Sequence, residues 1–379
     1  MDVALVALGD LIAVGNILID FLSLPSFARN ARIYLSFLTV DDIDRSLDNR
    51  YQAEFQRCPV QDFHKNLLAG DKALKVSILM CTYNGQRFLA EQINSFERQS
   101  HSNWSLAVSD DGSKDATLEV VRSCASGWPA GRLKVFSGPG KGFAANFLSL
   151  TCRAEVRADF YAWSDQDDIW NEDKLETALM WLQSVPEHVP ALYCGRTQLI
   201  SELGIAAGQS PKFSQPPKFA NALVQCIGGG NTMVFNHAAR ELLREAGPHV
   251  AIVSHDWWAY QLVSGAQGGV VFYDPHARTL YRQHKSNLVG SNAGWWARLY
   301  RLWMVFHGRF YEWSRKNIRA LEVMSHRLDK QSVETLSNFK MARDQPLFHR
   351  IAGIRRSGVY RQTLGGNLGL LFAAVIRKI

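Results

Sequence analysis

From about Lys75 the sequence alternates short apolar segments with segments of helical periodicity. The apolar, strand-like runs are Val76–Met80, Trp104–Val108, Leu133–Phe136 and Phe160–Trp163. Between them, apolar residues recur at helical spacing, first at Phe88, Leu89, Ile93 and Phe96, then at Leu118 and Val121, and later at Leu175, Ala178, Leu179 and Leu182. This alternation predicts an α/β fold with a mostly parallel central sheet flanked by helices. In such a sheet, ligands bind at the carboxyl ends of the strands.

Three polar motifs each follow directly after a predicted strand. They are TYNG at 82–85, SDDGSKD at 109–115 and SDQDD at 164–168. Because parallel strands end at the same edge of a sheet, we expect the three motifs to converge on one rim. Each motif alone would be weak evidence, since Asn-Gly and Asp-Gly are ordinary turn dipeptides and an Asp before a helix is commonly an N-cap.

The densest charge lies in YAWSDQDDIW, residues 161–170, where three carboxylates stand between aromatic residues. Like charges so close together oppose folding unless a metal ion, a helix N-terminus or both are present. Asp165 and Asp167 are two residues apart, so both can face one side and offer the oxygen ligands that Mg²⁺ or Mn²⁺ prefers. Asp168 is expected to cap the following helix or to hold the metal through water. A purely capping role explains one carboxylate well and three poorly, which favours the metal.

The second motif and a later glycine-rich loop are candidates for nucleotide contacts. Asp110 and Asp111, at a strand end, can accept hydrogen bonds from a base or a ribose, whereas Asp115 is predicted to cap the next helix. The loop GPGKG at 138–142 lacks the GxGxxG spacing and does not open a helix after the first strand, so it is not a dinucleotide fingerprint. Lys141 in this loop is a candidate to meet a phosphate.

Three further residues are candidates for the functional site. Their residue types alone do not decide between a functional and a structural role. Asp256, in SHDWW, is a general base beside large apolar rings or the cap of a helix, and the sequence favours neither. His284, in YRQH, is a metal ligand, a phosphate donor or a structural residue, and Arg282 is a phosphate clamp or a structural residue.

Composition restricts the partner and the compartment. The formal net charge of +7 and the pI of about 9.1 indicate an anionic partner, which can be a nucleotide, a nucleic acid or an acidic lipid surface. The six cysteines are scattered without a CxxC pair, which is typical of reduced thiols in a cytoplasmic protein. The apolar N-terminus is interrupted by Asp2, Asp10 and Asp20, so it reads as a packed or amphipathic helix and not as a signal peptide or a membrane span.

Taken in order, the motifs resemble those of glycosyltransferase family 2. They are SILMCTYNG, SDDGSKD, GKGFAANF, YAWSDQDDIW with DKL, SHDWW and LYRQHKSNLVG, and they span about Lys75 to Gly290. Within the family, the sequence is most similar to bacterial rhamnosyltransferase-like enzymes of O-antigen and exopolysaccharide assembly. The resemblance implies a Rossmann-like GT-A fold and an inverting transfer of a sugar, L-rhamnose in that subgroup, from a nucleotide-diphosphate donor to a saccharide or polyprenyl-linked acceptor.

The resemblance also implies a role for each matching residue. The nucleotide and donor would be bound by Thr82, Tyr83, Asn84, Asp110, Asp111, Lys141, Asp165 and Arg282. Asp165 and Asp167, the two ends of a DxD motif, and His284 would form the site of one Mg²⁺ or Mn²⁺ ion. Asp256 would be the catalytic base that deprotonates the acceptor hydroxyl. The physical logic agrees, since inversion needs a base and a leaving-group electrophile on opposite faces of the anomeric carbon.

The sequence predicts three regions. Residues 1–74 form an N-terminal extension, expected to be helical and of open role, 75–290 form the glycosyltransferase domain, and 291–379 form a helical C-terminal region. The segment WWARLYRLWMVFHGRFYEWSRK, after Gly294, is either a membrane-interfacial segment or a helix packed on the catalytic domain. We therefore expect a cytoplasmic enzyme, with peripheral attachment to the inner face of the cell membrane as the first alternative.

Two other functions compete with this interpretation. One is a catalytically idle nucleotide-sugar binding protein of the same fold, against which the presence of Asp165, Asp167, Asp256 and His284 argues. The other is nucleic-acid binding, which rests on the positive charge alone, because the sequence has no basic and aromatic recognition motif of a known kind. We therefore expect no nucleic-acid partner.

Overall fold

The computed structural model describes residues 74–284 and 308–379. Both stretches belong to one compact unit, residues 72–379. The predicted helical N-terminal extension and the first part of the segment after Gly294 lie outside the described residues. The predicted region boundaries at 74/75 and 290/291 stay predictions.

The strands lie where the apolar runs predict them, with additional short strands in the second half. In chain order they are β1 Val76–Thr82, β2 Trp104–Asp110, β3 Leu133–Ser137, β4 Phe160–Ser164, β5 Ile169–Trp170, β6 Ala191–Ile200, β7 Ala206–Gln209, β8 Val234–Asn236 and β9 Val270–Arg282. Each of the three polar motifs begins at the last residues of a strand or directly after it, as expected.

Helices alternate with the strands in the first half and continue beyond the sheet. They are α1 Leu89–Glu97, α2 Thr117–Cys124, α3 Phe143–Cys152, α4 Lys174–Leu182, α5 Phe219–Ala222, α6 His237–Ala246, α7 His255–Gly265, α8 Arg309–Val323, α9 Lys330–Asp344, α10 Leu347–Arg356 and α11 Leu364–Val375. The helix α7 begins within SHDWW, the segment that contains Asp256.

A single sheet orders the strands β3-β2-β1-β4-β8-β6-β9-β5, with β7 paired to β6. Parallel pairing joins β3, β2, β1 and β4, and it also joins β6 to β9. The strand β8 is antiparallel to both β4 and β6, so β6 runs in the same direction as β4. Six of these strands therefore point the same way, and the predicted α/β class with a mostly parallel sheet is confirmed.

Both faces of the sheet are covered, which explains why β1 is apolar along its whole length. Its side chains alternate between two cores: Ile78 and Met80 belong to one, and Leu79 and Cys81 to the other. The edge that carries the strand ends is left for polar loops, and this edge positions the candidate site.

The described part of the C-terminal region packs on the sheet domain. Asn317 of α8 accepts a hydrogen bond from the backbone N–H of Val253, 3.2 Å away. The Asn221 side chain donates to the carbonyl of Tyr360 at 2.9 Å, and the backbone N–H of Gln362 donates to the Gln225 side chain at 2.8 Å. Across residues 74–284 and 308–379, no helix is long and apolar enough to cross a membrane.

Candidate active site

The ends of β1 and β2 are tied together by Asp110. Its Oδ1 accepts hydrogen bonds from the Thr82 hydroxyl at 2.8 Å and from the Ser113 hydroxyl at 2.6 Å. Its Oδ2 accepts from the backbone N–H of Ser113 at 2.9 Å. These bonds fold SDDGSKD back onto the strand end, so Thr82 and Asp110, predicted as nucleotide-binding residues, also shape the loop.

Asp111 holds the glycine-rich loop against the same rim. Its two carboxylate oxygens accept from the backbone N–H groups of Gly140 and Gly142, at 2.7 and 2.9 Å. Both glycines have positive φ, 66° and 85°, which favours glycine there. Lys141, between them, is exposed on the loop. Asp111 therefore fixes the position of the loop that carries the charged side chain of Lys141.

An open cavity of about 530 Å³ lies between these two loops. Its lining includes Asp110, Asp111, Arg122, Phe136 and Gly138. The cavity has polar and apolar walls and lies at the carboxyl ends of β2 and β3, where an α/β sheet is expected to bind its ligand. It is large enough for a nucleoside.

Gln166, the middle residue of the DxD motif, joins this motif to the TYNG loop. The Gln166 side chain accepts from the Tyr83 N–H at 2.9 Å and donates to the Tyr83 carbonyl at 3.0 Å. A Cβ at Gly85 would lie 2.2 Å from Gln166 Oε1, so this close approach requires glycine. The Tyr83 ring is 57% exposed beside this link.

Asn84 completes the junction of the first two loops. It has a left-handed backbone, with φ of 48°, which asparagine tolerates better than most residues. Its N–H donates to the Ser113 hydroxyl and its side-chain oxygen accepts from the Lys114 N–H, both at 2.8 Å. Asn84 is thus placed to support the loops that line the rim.

Asp115 has the capping role that the sequence favoured for it. Its Oδ1 accepts from the Thr117 N–H at 3.1 Å, at the start of α2, and its Oδ2 accepts from the Gln86 N–H at 3.2 Å. These hydrogen bonds outweigh desolvation and lower the pKa of Asp115.

Asp168, in contrast, does not cap the following helix, and this prediction is wrong. The helix α4 begins at Lys174, after the short strand β5, so Asp168 is too far back along the chain. Its carboxylate is fully buried and accepts from the Asn231 side chain at 2.6 Å and from the Arg282 N–H at 3.1 Å. Burial and the neighbouring Asp167 raise the pKa of Asp168 to about 7.

A buried lysine compensates part of this charge. Lys174 is 1% exposed, its Nζ lies 3.3 Å from the centroid of the Trp170 ring, and it donates to the Asn231 carbonyl. Burial lowers the pKa of Lys174, while Asp168 and Asp165 act in the opposite direction. The sequence did not predict a role for Lys174 or Asn231, because the only signal for them is their position in the segments DKL and GGGNT.

The DxD carboxylates and His284 meet although the chain separates them widely. The Nε2 of His284 lies 2.7 Å from Oδ2 of Asp167, and both side chains are mostly buried. Burial and the charges of Asp168, Asp167 and Asp256 raise the pKa of Asp165 well above its ordinary value. Of the three residues predicted to bind a metal, Asp167 and His284 are in contact, whereas Asp165 is related to them through the charge of Asp167.

This donor set fits a divalent cation that is shared with a substrate. Among the described residues, no group of three or more His, Cys, Asp and Glu side chains is arranged as a metal site. Asp167 and His284 offer one oxygen and one nitrogen, and Mg²⁺ is commonly held by one or two carboxylates together with substrate phosphates. A bound cation would favour the ionised forms of Asp165 and Asp168, whose pKa values are raised by burial and by the neighbouring carboxylates.

Arg282 contacts oxygen atoms of the protein, whereas the sequence predicted that it would bind a phosphate. Its buried guanidinium donates to the Asp167 carbonyl at 3.0 Å, to the Glu202 carbonyl at 2.8 Å and to the Glu91 carboxylate at 2.7 Å. All of these contacts are with protein groups, so they position the DxD segment. A direct contact with the donor stays a prediction.

Asp256 lies at the first turn of α7, and its Oδ1 accepts from the Trp257 N–H at 2.7 Å. After burial, its charge is one of the causes that raise the pKa of Asp165 and of Cys226. The N-cap of α7 is Ser254, so Asp256 is the second residue of the helix and not its cap. The assignment of Asp256 as the general base stays a prediction.

The preceding residue, His255, is a site feature that sequence analysis did not single out. Its ring stacks on Phe147, with centroids 3.9 Å apart, and meets the edge of Trp163 at 4.7 Å. Burial lowers its pKa to about 4, so the ring is neutral at physiological pH. A Cβ at Gly230 would lie 2.2 Å from Nε2, which explains a glycine in the GGGN segment.

Comparisons with known proteins agree with the motifs. Residues 77–202 match the family model described as Glycosyl transferase family 2. The chain is similar to the dTDP-rhamnosyl transferase RfbG of Shigella flexneri, with 27% identity over 259 residues, which cover 64% of this chain and 83% of RfbG. It is also similar to WfgD of Escherichia coli, a UDP-Glc:alpha-D-GlcNAc-diphosphoundecaprenol beta-1,3-glucosyltransferase, with 31% identity over 41% of this chain and 57% of WfgD.

Solved structures give more distant likenesses. The mannosyltransferase PcManGT from Pyrobaculum calidifontis, in complex with GDP-Man and Mn²⁺, matches with a TM-score of 0.45 and 17% identity over 88% of this chain and 96% of that chain. S. aureus TarS 1-349, in complex with UDP-GlcNAc, matches with a TM-score of 0.44 and 17% identity over 76% and 93%. By its motifs and the match over 77–202, the chain carries a glycosyltransferase family 2 domain, and the predicted enzyme class is confirmed.

Proposed function

We propose that this enzyme transfers a sugar, with inversion, from a nucleotide-diphosphate donor to a hydroxyl group of a saccharide or lipid-linked acceptor. The observation that carries the proposal is the 2.7 Å contact between Asp167, beside β4, and His284, after β9, with Asp256 among the charges that raise the pKa of the neighbouring Asp165. Inversion needs a base on one side of the anomeric carbon and a positive charge on the other, and we assign these roles to Asp256 and to an ion at Asp167 and His284.

The chain's own residues divide the work. The cavity beside Asp110 and Asp111 takes the nucleoside, and the exposed Tyr83 ring offers it a stacking surface. Lys141 and the loop that Asp111 holds face the diphosphate. Asp167 and His284 would hold one Mg²⁺ or Mn²⁺ ion, which, when bound, supplies positive charge to the diphosphate leaving group.

Asp256 acts as the general base of the transfer. It takes the proton of the acceptor hydroxyl as the new bond forms between that oxygen and the anomeric carbon. The bond from the anomeric carbon to the diphosphate oxygen breaks, and the nucleoside diphosphate leaves with the electron pair. One displacement inverts the configuration, so no covalent nucleophile is required.

The relatives support a narrower assignment. The name of RfbG describes transfer of rhamnose from dTDP, and similarity to it over 259 residues supports dTDP-L-rhamnose as the donor. The name of WfgD describes a diphosphoundecaprenol acceptor, which supports a lipid-linked acceptor in the assembly of a cell-surface polysaccharide. We propose accordingly that the reaction takes place at the inner face of the cell membrane.

The test combines a donor panel with two variants. Purified protein is incubated with dTDP-rhamnose, UDP-glucose or GDP-mannose and Mg²⁺ or Mn²⁺, and donor binding and transfer to a synthetic lipid diphosphate saccharide are measured. Asp256→Asn should keep donor binding and lose transfer by about 10²- to 10⁴-fold. Asp167→Ala should weaken donor binding itself.

The control is Asp344→Asn, which removes an exposed carboxylate at the end of α9 and should change neither quantity. Normal transfer by Asp256→Asn would refute the base assignment. Binding of the donor by the wild-type protein without transfer to any acceptor would support the alternative, an idle nucleotide-sugar binding protein.

A further inference from the structure

The helices α10 and α11 form an antiparallel pair at the far end of the chain from the TYNG loop. The guanidinium of Arg350, in α10, is buried and donates to the carbonyl of Ala374, in α11, at 2.6 Å. This bond places the start of α10 beside the end of α11. Leu370, Ala373 and Ala374 face the protein, so α11 already has one packed side.

The opposite side of α11 is an exposed apolar stripe. Leu364, Leu368, Leu371 and Val375 are 78%, 60%, 38% and 40% exposed. They recur at spacings of four, three and four residues, which places them on one face of the helix. Single exposed leucines are normal on a protein surface, but a stripe along three turns marks an interaction site.

Two more exposed apolar residues lie at the end of the helix pair where α10 begins. Phe348 is 82% exposed and Leu347 is 38% exposed. Because the two helices are antiparallel, these residues lie at the end of the pair that carries Val375. We call these six residues, on α10 and α11, the apolar stripe of the helix pair.

Basic residues and no acidic ones accompany the helix pair in the sequence after Asp344. Asp344 is followed by no acidic residue in the sequence, whereas Arg350, Arg355, Arg356, Arg361, Arg377 and Lys378 all follow it. Arg355 and Arg356 are exposed at the end of α10, and Arg377 is exposed just after α11. Exposed arginines therefore stand at both ends of the apolar stripe.

We propose that the helix pair α10–α11 docks on an anionic lipid bilayer, with the apolar stripe inserted among the acyl chains and the arginines at the phosphates. A short helix with an apolar face and basic flanks lies in the plane of the interface and does not span it. A second copy of this chain is disfavoured as the occupant, because a symmetric contact on this face would bring the arginine groups of both copies together.

This docking site goes beyond the proposed reaction and does not depend on it. It also differs from the aromatic and basic segment after Gly294, most of which lies outside the described residues. The enzyme would be held at the surface where an amphipathic acceptor is found, so the proposal gives the C-terminal helices a function of their own.

The test is flotation of the full-length protein with vesicles. Vesicles of phosphatidylcholine alone are compared with vesicles that also contain phosphatidylglycerol, at low and high salt. The wild-type protein should float with the anionic vesicles, and high salt should weaken the binding. The variant Leu364→Glu/Leu368→Glu should bind at least about ten-fold more weakly, since two inserted side chains become charged.

Two further variants make the test specific. Leu203→Glu alters an equally exposed leucine, 82% exposed in the turn before β7, and should bind as the wild type does. Arg355→Gln/Arg356→Gln should lose about five-fold per arginine on anionic vesicles and nothing on neutral ones. Circular dichroism and light scattering check folding and self-association for each variant.

Two outcomes would overturn the proposal. One is unchanged vesicle binding by the well-folded Leu364→Glu/Leu368→Glu variant. The other is a wild-type dimer that the same variant converts to a monomer without any vesicle binding, which would identify a second copy as the occupant of the stripe.

Discussion

Replacing His255 by phenylalanine tests the electrostatics of the site at a position where no hydrogen bond is lost. The ring is 4% exposed, and within the described residues neither of its nitrogens has a hydrogen-bond partner. Such an arrangement penalises the charged ring, and burial accordingly lowers the pKa of His255 from its ordinary 6.5 to about 4. Phenylalanine keeps the stacking on Phe147 and removes the titration.

The expected effect follows from proton linkage. Between pH 6.5 and 4 the unfolded chain binds a proton at His255 that the folded chain does not, so the free energy of unfolding falls as the pH falls through this range. A tenfold difference in proton affinity is worth about 1.4 kcal/mol, so a pKa lowered from 6.5 to about 4 makes the complete effect about 3 to 4 kcal/mol and the effect at pH 4.5 about 2 to 3 kcal/mol. At pH 7.5 the effect is close to zero.

Asp168 acts in the opposite direction over nearly the same range. Its pKa is raised to about 7, so the folded protein holds a proton there that the unfolded chain has released, and the free energy of unfolding falls as the pH rises from about 4 to 7. The pH profile of the wild-type protein alone therefore cannot isolate His255. The difference between His255→Phe and the wild type does isolate it, because the contribution of Asp168 is common to both.

The assay is urea unfolding, followed by tryptophan fluorescence without divalent cations, at pH 7.5 and 4.5. The wild type should lose about 2 to 3 kcal/mol more than His255→Phe between the two pH values. Any cost of fitting the larger ring beside Gly230 is the same at both pH values and cancels. His188→Phe, at an exposed histidine, is the control.

Parallel losses in the wild type and His255→Phe would refute the reasoning. They would mean that His255 binds its proton equally well in the folded and the unfolded protein, and hence that its ring is not desolvated as the packing against Phe147 and Trp163 indicates.

The sequence was sufficient to predict the arrangement of those parts of the site that lie close to strand ends. A strand that ends at a polar motif brings that motif to the rim, so the bond between Thr82 and Asp110 follows from the parallel register of β1 and β2. The proximity of Asp167 and His284 did not follow from spacing; it was expected from the family resemblance, and the 2.7 Å separation is consistent with it.

The parts that the sequence did not reveal depend on long-range packing. Asp168 was expected to serve the helix that follows, but a two-residue strand, β5, intervenes and pairs with β9. That pairing brings Arg282 beside the DxD segment, where its guanidinium is used by protein oxygens. Neither the strand nor the pairing has a strong local signal, because two residues are too few for a period to be read.

Two further predictions concern Gln166 and Lys174. Gln166→Ala removes both bonds to the Tyr83 backbone and should raise KM for the donor about ten-fold, measured by initial rates, with Gln209→Ala as control; an unchanged KM would contradict a positioning role. Lys174→Met leaves the buried Asp168 with less compensating charge and should cost about 3 to 5 kcal/mol in urea unfolding at pH 8. The cost should shrink at pH 5.5, because Asp168 then holds its proton in the folded state and no longer requires a cation. Asp168→Asn in the Lys174→Met background should recover part of the loss at pH 8. An equal cost of Lys174→Met at both pH values would show instead that Lys174 acts through the packing of its alkyl chain on Trp170, since packing does not titrate.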